Sequence, residues 1–517
     1  MIRSLLSIKL IVLVLLPFFL SGQHQIINNE VSWMFDQEFS KNDTSFSGVK
    51  SSIYNLFVFS RIDEDSIKTK SKFFNWGFNK NFISYKNKDY KIIINPILDF
   101  SLGNNEYFST GRGAFLTGQI GHKFKWYSLY YENFRKFNGE LERQVARSGV
   151  APGESGVKFG DKGIDYSVAN GGMEYTFNKF FSVSIGHGKN FIGNGYRSLL
   201  LSDAANSYPF FKTDITVGRV KYTSIFAEFT DYKNDLLSDG LKRKKNGSFH
   251  FLEFIITKKI RIGLFESVIW AGDSAARSTL DINYLNPFVI FRPIEFNLGS
   301  PDNMLLGING SWEITNSIKL YGQGVIDEFH SKNLINNPTW WGNKYGYQVG
   351  LKLHDFKKAP NLVVILEHNS VRPFTYSQKE SATNYGHNYE ALAHPYGANF
   401  REYLGIVNYR YKRWNINLKI NVIDGGAESI DSISVGTDIF KSYLDREGDY
   451  GYKIGYGEKY IQTIVDTKLS YILNYKYLLN IQLGFVNRSF NLSDNAWNEQ
   501  LFYLGLKTSL FNSYYDY

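Results

Sequence analysis

A chain of 517 residues with 17% aromatic content, 45 Gly and only 11 Pro favours strands and turns over helices. It has no Cys, which removes disulfides, thiolate metal sites, cysteine nucleophiles and a lipobox lipid anchor. The formal charge is +9, yet Lys and Arg are scattered singly apart from Lys242–Lys245, so the sequence offers no groove or stripe for nucleic acid.

The amino terminus carries Arg3 and Lys9, then the apolar run Leu10–Leu20, then Ser21 and Gly22. That order reads as a secretory signal peptide over residues 1–22, because the run is too short to span a bilayer. No later segment has eighteen consecutive apolar residues and the mean hydropathy is −0.28, so helical membrane spans are not expected. An exported strand-rich chain can still enter a membrane as a closed barrel, since half of its strand residues escape a hydropathy scan. Residues 23–87 are less regular and read as an N-terminal periplasmic segment, either a helix or an extended arm. Ile27, Val31, Met34, Phe35 and Phe39 share one side of the helical alternative.

From residue 88 the period becomes two. Ile92, Ile94, Leu98 and Phe100 share one face. In the stretch 413–423, Trp414, Ile416, Leu418, Ile420 and Val422 alternate with Asn415, Asn417, Lys419 and Asn421. Eighteen such stretches are expected, near 89–101, 113–121, 124–136, 170–177, 180–187, 212–219, 221–231, 248–257, 260–270, 304–313, 317–328, 344–353, 361–369, 400–411, 413–423, 459–473, 476–489 and 499–511. Each is roughly long enough for a tilted crossing of about ten residues. Alternation alone does not separate a membrane barrel from a soluble sandwich. Connector length does, because short turns such as 122–124 and 411–413 alternate with mostly long loops such as 188–211, 370–399 and 424–458. That rhythm is the mark of an outer-membrane barrel, with short periplasmic turns and long external loops. The fold expected is therefore all-β, a transmembrane barrel over residues 88–517, in the outer membrane and monomeric.

Three polar inserts fall at outward junctions by strand parity. The first holds His187, Lys189, Asn190, Tyr196, Arg197 and Asp203. The second, 283–304, holds Arg292 and Glu295. The third, 370–400, holds Arg372, Tyr376, His387, Tyr389 and His394. Aromatic rings beside Arg, Asn and carboxylates suit sugars, with rings covering C–H faces and forked donors meeting hydroxyls or acidic groups. On this reading Arg197, Arg292 and Arg372 meet ligand, and Tyr196, Tyr376 and Tyr389 stack. Bonding within the loops is the competing account of the same residues. The histidines lack zinc spacing, and GHGKN and GNGYRS match neither phosphate-loop nor dinucleotide patterns, so no metal or cofactor is expected. Asp203, Glu295 and Asp302 are carboxylates of the kind glycosidases pair, but an internal partnership with Arg is the better account of them. No catalytic residue is assigned.

At these inserts the sequence resembles the Wzi-like capsule-assembly family of outer-membrane barrels, and within it the gliding-motility RemB-type branch. The stretches GHGKNFIGNGYRSLLLSDAANSYPF, NPFVIFRPIEFNLGSPDNMLLG, RPFTYS and LAHPYGANF carry the resemblance. It implies an eighteen-stranded barrel that holds or organises surface polysaccharide without catalysis, with motility or adhesion as the role of that branch. It also implies outer-membrane lipid, surface or capsular polysaccharide, and motility or secretion proteins as partners. The helical bundle of better-known members is not legible in the N-terminal region. A diffusion channel and a scaffold in a surface machine remain the alternative functions.

Overall fold

The computed structural model describes residues 48–51, 70–160, 162–231, 242–271, 281–286, 302–328, 331–354, 356, 359–428, 433–492, 495–510 and 512–516. The amphipathic stretch at 27–39, the signal segment, and Arg292 and Glu295 lie outside them.

Eighteen antiparallel strands close into one barrel. They are β1 Tyr90–Gly103, β2 Phe108–Ile120, β3 Phe124–Lys136, β4 Gly163–Thr176, β5 Phe181–Gly188, β6 Tyr208–Val217, β7 Val220–Thr230, β8 Lys244–Ile255 and β9 Ile260–Ala271. The second half comprises β10 Asn303–Thr315, β11 Ile318–Glu328, β12 Lys344–Leu353, β13 Leu362–Val371, β14 Phe400–Tyr411, β15 Trp414–Ala427, β16 Glu458–Asn474, β17 Leu479–Leu492 and β18 Asn495–Thr508. Each pairs with its sequence neighbour, and β18 closes on β1 from Tyr503↔Gly103 to Lys507↔Asp99. Below that seam the edge of β1 is taken by residues 83–86, paired Ile83↔Ile94.

The side-chain pattern is the reverse of a soluble sheet. On β15 the polar Asn415, Asn417, Lys419 and Asn421 are buried, while Trp414, Ile416 and Ile420 are exposed. On β14, Glu402 and Asn408 point inward and are fully covered, and Tyr403, Val407, Tyr409 and Tyr411 point out. A wall with its apolar side outward is stable only against lipid. The hairpin ends sort as expected: every even-to-odd connection is short, and the long segments lie at the other end. The β1–β2 and β17–β18 turns are the short exceptions on the long side.

Each of the eighteen expected strands is present, with shifted ends. The fourth begins at Gly163 rather than 170, and the second at Phe108 rather than 113. The last ends at Thr508 instead of running to 511, and the chain then turns inward, with Ser509 N–H donating to the Leu478 carbonyl at 3.3 Å. Residues 512–516 consequently lie inside the lumen.

Two helices pack against the wall strands. Helix α1, Lys72–Asn79, sits at the short-turn end. Helix α2, Gly139–Ser148, closes with Gly149 at φ 66, a left-handed position that a glycine occupies without strain, and buries Leu141 and Val145. Residues 49–51 pair with 190–192 and place Val49 in the largest apolar cluster, beside Ile192, Phe249 and Phe251.

Candidate functional site

The first insert leaves β5 at the long-loop end and folds into the lumen, where the inner wall supplies its hydrogen bonds. Glu367 of β13 accepts from the backbone N–H of Tyr196 (2.9 Å) and of Arg197 (3.1 Å), and from the Tyr321 hydroxyl (2.8 Å). Gln323 of β11 accepts from Leu199 N–H at 2.8 Å and donates to the Ile192 carbonyl at 3.0 Å. Gln348 of β12 donates to the Arg197 carbonyl at 3.0 Å. A loop inside a barrel has the same need for backbone partners as any buried chain, and polar wall residues meet it.

Arg197 is the centre of this arrangement and is 2% exposed. Its guanidinium donates to Glu402 of β14 at 3.1 and 3.2 Å, to the Asp516 carboxylate at 3.3 Å and to the Asp516 carbonyl at 3.2 Å. Asp516 also accepts from Tyr196 O–H at 2.9 Å and pairs with Lys419 at 3.0 Å. Burial alone would raise the Asp516 carboxyl, but Arg197 and Lys419 beside it hold it well below the usual carboxylate range. Asp203 is engaged from the same tail: Tyr514 O–H and the Asn512 amide each donate to it at 2.7 Å. Lys189 donates to the carbonyls of Gly153 (2.6 Å) and Asp203 (2.9 Å), and burial depresses its pKa.

The third insert packs on the first. Tyr376 donates to the Leu199 carbonyl at 2.7 Å and stacks on Tyr385, which donates to the Leu200 carbonyl at 2.6 Å. His394 bonds Glu402 at 2.8 Å through Nε2, and its Nδ1 accepts from Tyr396 N–H at 3.3 Å, so Nε2 carries the proton. His387 accepts from Thr230 N–H at 3.0 Å through Nδ1 and faces the Ser207 carbonyl at 3.2 Å through Nε2. Burial pushes its pKa down to about 3, so it is neutral. Glu390 receives N–H bonds from Gly153 (2.6 Å) and Asn206 (2.8 Å), and burial raises its carboxyl to about 7.

The first and third inserts therefore come together, as strand parity implies, and are joined by the C-terminal tail. Most of the candidate residues bond within the protein. Arg197, Tyr376, His387 and His394 are buried, and Asn190 is likewise covered, with its backbone N–H on the Tyr208 hydroxyl at 3.3 Å. His187 stands apart on the outward, exposed face of β5, 3.3 Å from Asn170. Tyr389 is half-buried and stacks on Phe440 at 4.7 Å.

Arg372 leads to residues that the sequence did not single out. Its guanidinium donates to the carbonyls of Asn343 (2.7 Å), Tyr452 (3.0 Å) and Trp340 (3.4 Å), stitching together the loops after β11 and β15. Those loops also pair directly, Trp341 N–H to the Asp449 carbonyl at 3.0 Å and Tyr452 N–H to the Thr339 carbonyl at 3.0 Å. Together they form an aromatic ledge at the outer mouth. Trp340 and Trp341 lie 5.7 Å apart, Trp341 meets Tyr443 at 4.7 Å, the Arg446 guanidinium lies 4.1 Å over Trp341, and Tyr450 is 60% exposed. The signal available in the sequence was the Trp340–Trp341 pair inside a long external loop.

No protein-family model matches the chain, and no curated protein matches it. Among solved structures it is similar to Wzi from Escherichia coli, described as an outer membrane protein involved in group 1 capsule assembly and a carbohydrate-binding β-barrel. The likeness has 12% identity and a TM-score of 0.54, covering 95% of this chain and 100% of that one. OccK5 of Pseudomonas aeruginosa matches at 9% identity and a TM-score of 0.42, over 81% of this chain and 98% of that one. OccAB3 of Acinetobacter baumannii matches at 12% identity and 0.43, over 81% and 99%.

Proposed function

We propose that this is a non-enzymatic outer-membrane barrel that holds surface polysaccharide at its outer mouth. The observation that carries the reading is the ledge of Trp340, Trp341, Tyr443, Arg446 and Tyr450, held in place by Arg372 on top of a lumen filled by ordered chain. Rings flanked by a guanidinium and carboxylates offer a sugar both an apolar platform and directional donors and acceptors. The buried candidates serve as the scaffold beneath this surface. The barrel's likeness in fold to a protein described as carbohydrate binding supports the same reading.

The second function weighed, a diffusion channel, has less support because the inserts and the tail cross the lumen and bond to one another. The test is retention of purified capsular polysaccharide by the detergent-solubilised barrel. The double variant Trp340→Ala/Tyr450→Ala is expected to lose most binding while remaining folded. Undiminished retention would remove the ledge from the site, and a large steady current in planar bilayers would favour the channel.

A further inference from the structure

Helix α1 is built inside out. At 100° per residue, Lys72, Asn75 and Asn79 share one narrow face, whereas Phe73, Phe74, Trp76 and Phe78 spread over the rest. The barrel contacts come from Asn79 on that polar side and from the last carbonyls of the helix, whereas Lys72 is exposed. The Asn79 side chain accepts from Arg413 at 3.5 Å and bonds Asn75 at 2.9 Å. The Gly77 carbonyl accepts from the Asn474 amide at 2.7 Å and from Tyr477 O–H at 3.2 Å, and the Lys80 carbonyl accepts from Asn474 at 3.0 Å. The aromatic side is turned away, with Phe73 70% and Phe74 51% exposed and no residue of the helix buried. A helix bordered by water has every reason to face the other way.

The apolar surface continues onto the wall. Trp76 meets Phe82 at 4.8 Å, and the next residues join the seam strand, where Ile83 pairs with Ile94 and Tyr85 with Ile92. Ile83 and Tyr85, 50% and 55% exposed, thereby lie on the lipid-directed face of β1. Between residues 70 and 90 the charged residues are Lys70, Lys72, Lys80, Lys86 and Lys88 against Asp89 alone. Aromatic rings beside lysines, continuous with a lipid-facing wall, are the composition of a helix lying in a bilayer interface.

We propose that α1 is a membrane-interface helix. Its aromatic arc is seated at the headgroup–acyl boundary of the leaflet on the short-turn side, and its lysines face phospholipid phosphates. The helix thereby pins the lower seam, where β1 pairs with residues 83–86 rather than with β18. Because the chain lacks cysteine, single nitroxide labels can be introduced at Phe73→Cys, Phe74→Cys and, as a water-exposed reference, Lys88→Cys. The barrel is reconstituted in phosphatidylethanolamine/phosphatidylglycerol bilayers and label accessibility to oxygen and to a nickel chelate is measured. An oxygen-to-nickel ratio severalfold higher at 73 and 74 than at 88 is the expected result. Labels at both aromatic positions as open to nickel as the one at 88, or shielded from both reagents by covering protein, would overturn it.

Discussion

The guanidinium of Arg197 and the carboxylate of Asp516 lie 3.3 Å apart near the middle of the lumen, although one enters from the long-loop end and the other from the short-turn end. Both are 2% exposed or less, with Glu402 paired to Arg197 and Lys419 paired to Asp516 beside them. The pair ties the external insert to the chain terminus through a contact between positions separated by most of the sequence.

Removing Arg197 leaves two buried carboxylates with Lys419 as their one nearby lysine or arginine among the described residues and His394 as a neutral donor. Arg197→Met is expected to destabilise the barrel by about 3–5 kcal/mol, because Glu402 and Asp516 would both remain buried. The companion change Asp516→Asn should be milder, since Arg197 keeps Glu402 and Lys419 keeps Asp466 at 3.5 Å. Denaturant unfolding in detergent measures both. The double variant should be less destabilised than the sum of the two, and strict additivity would show that the contact contributes nothing.

Removal of residues 509–517 is expected to open the lumen. The tail supplies Asp516 to Arg197, Tyr514 and Asn512 to Asp203, and the Tyr515 carbonyl to Arg488 at 2.7 Å. Without them the first insert loses its support from below, while the wall ladders, which end at Thr508, stay intact. Planar-bilayer recordings should then show steady conductance in the truncated protein and little in the full chain. Equal conductance in both would mean that the tail does not obstruct the path.

Acid should loosen the third insert through His387. Its pKa in the fold is about 3, below the ordinary 6.5, so between these values the unfolded chain binds more protons than the folded one. Stability is therefore fully present above pH 6.5 and falls as the pH drops toward 3, by at most about 1.4 kcal/mol per pH unit from this group. Glu390, raised to about 7, acts in the opposite sense between its ordinary 4.5 and 7, where rising pH weakens the fold. Substituting His387→Gln should flatten the acid limb of the pH–stability curve, as read by protease cleavage within residues 372–399.

The wall was legible because its physics is local. A period of two, a turn and a return are all written within a few residues, which is why eighteen strands emerge in order. The late start expected for β4 has an identifiable cause. In residues 164–168 the pattern inverts: Ile164, Tyr166 and Val168 point inward, packing in the cluster that includes Leu141 and Val145 of α2, whereas Asp165 and Ser167 point out. The tail was hidden for a different reason: Tyr514 and Asp516 find their partners hundreds of residues away. The inserts were recognised as polar and as sharing one end. Bonding within the protein is one of the two accounts that their residue types allow, but its partners are not legible, because the carboxylates that receive the first insert, Glu367 and Glu402, sit on distant wall strands where a lone acid reads as lumen-facing.

Glu367 gives the sharpest test of that division between wall and plug. One carboxylate oxygen accepts from Tyr196 N–H and Tyr321 O–H; the other accepts from Arg197 N–H and from the Asn369 amide at 2.9 Å. Glu367→Gln keeps the shape but replaces one acceptor oxygen with an NH2 group, which then opposes two donors. Leaving buried donors unmet costs about 1–3 kcal/mol each, and the loss falls on the turn at 195–197 and not on the β12–β13–β14 ladder. The expected outcome is faster proteolysis within residues 189–207 and higher conductance, with the barrel still resisting unfolding in SDS without heating. Glu367→Ala should open the same segment while leaving a cavity. If Gln behaves like the parent in both assays, the wall carboxylate does not hold the insert, and the Gln323 and Gln348 bonds alone must do so.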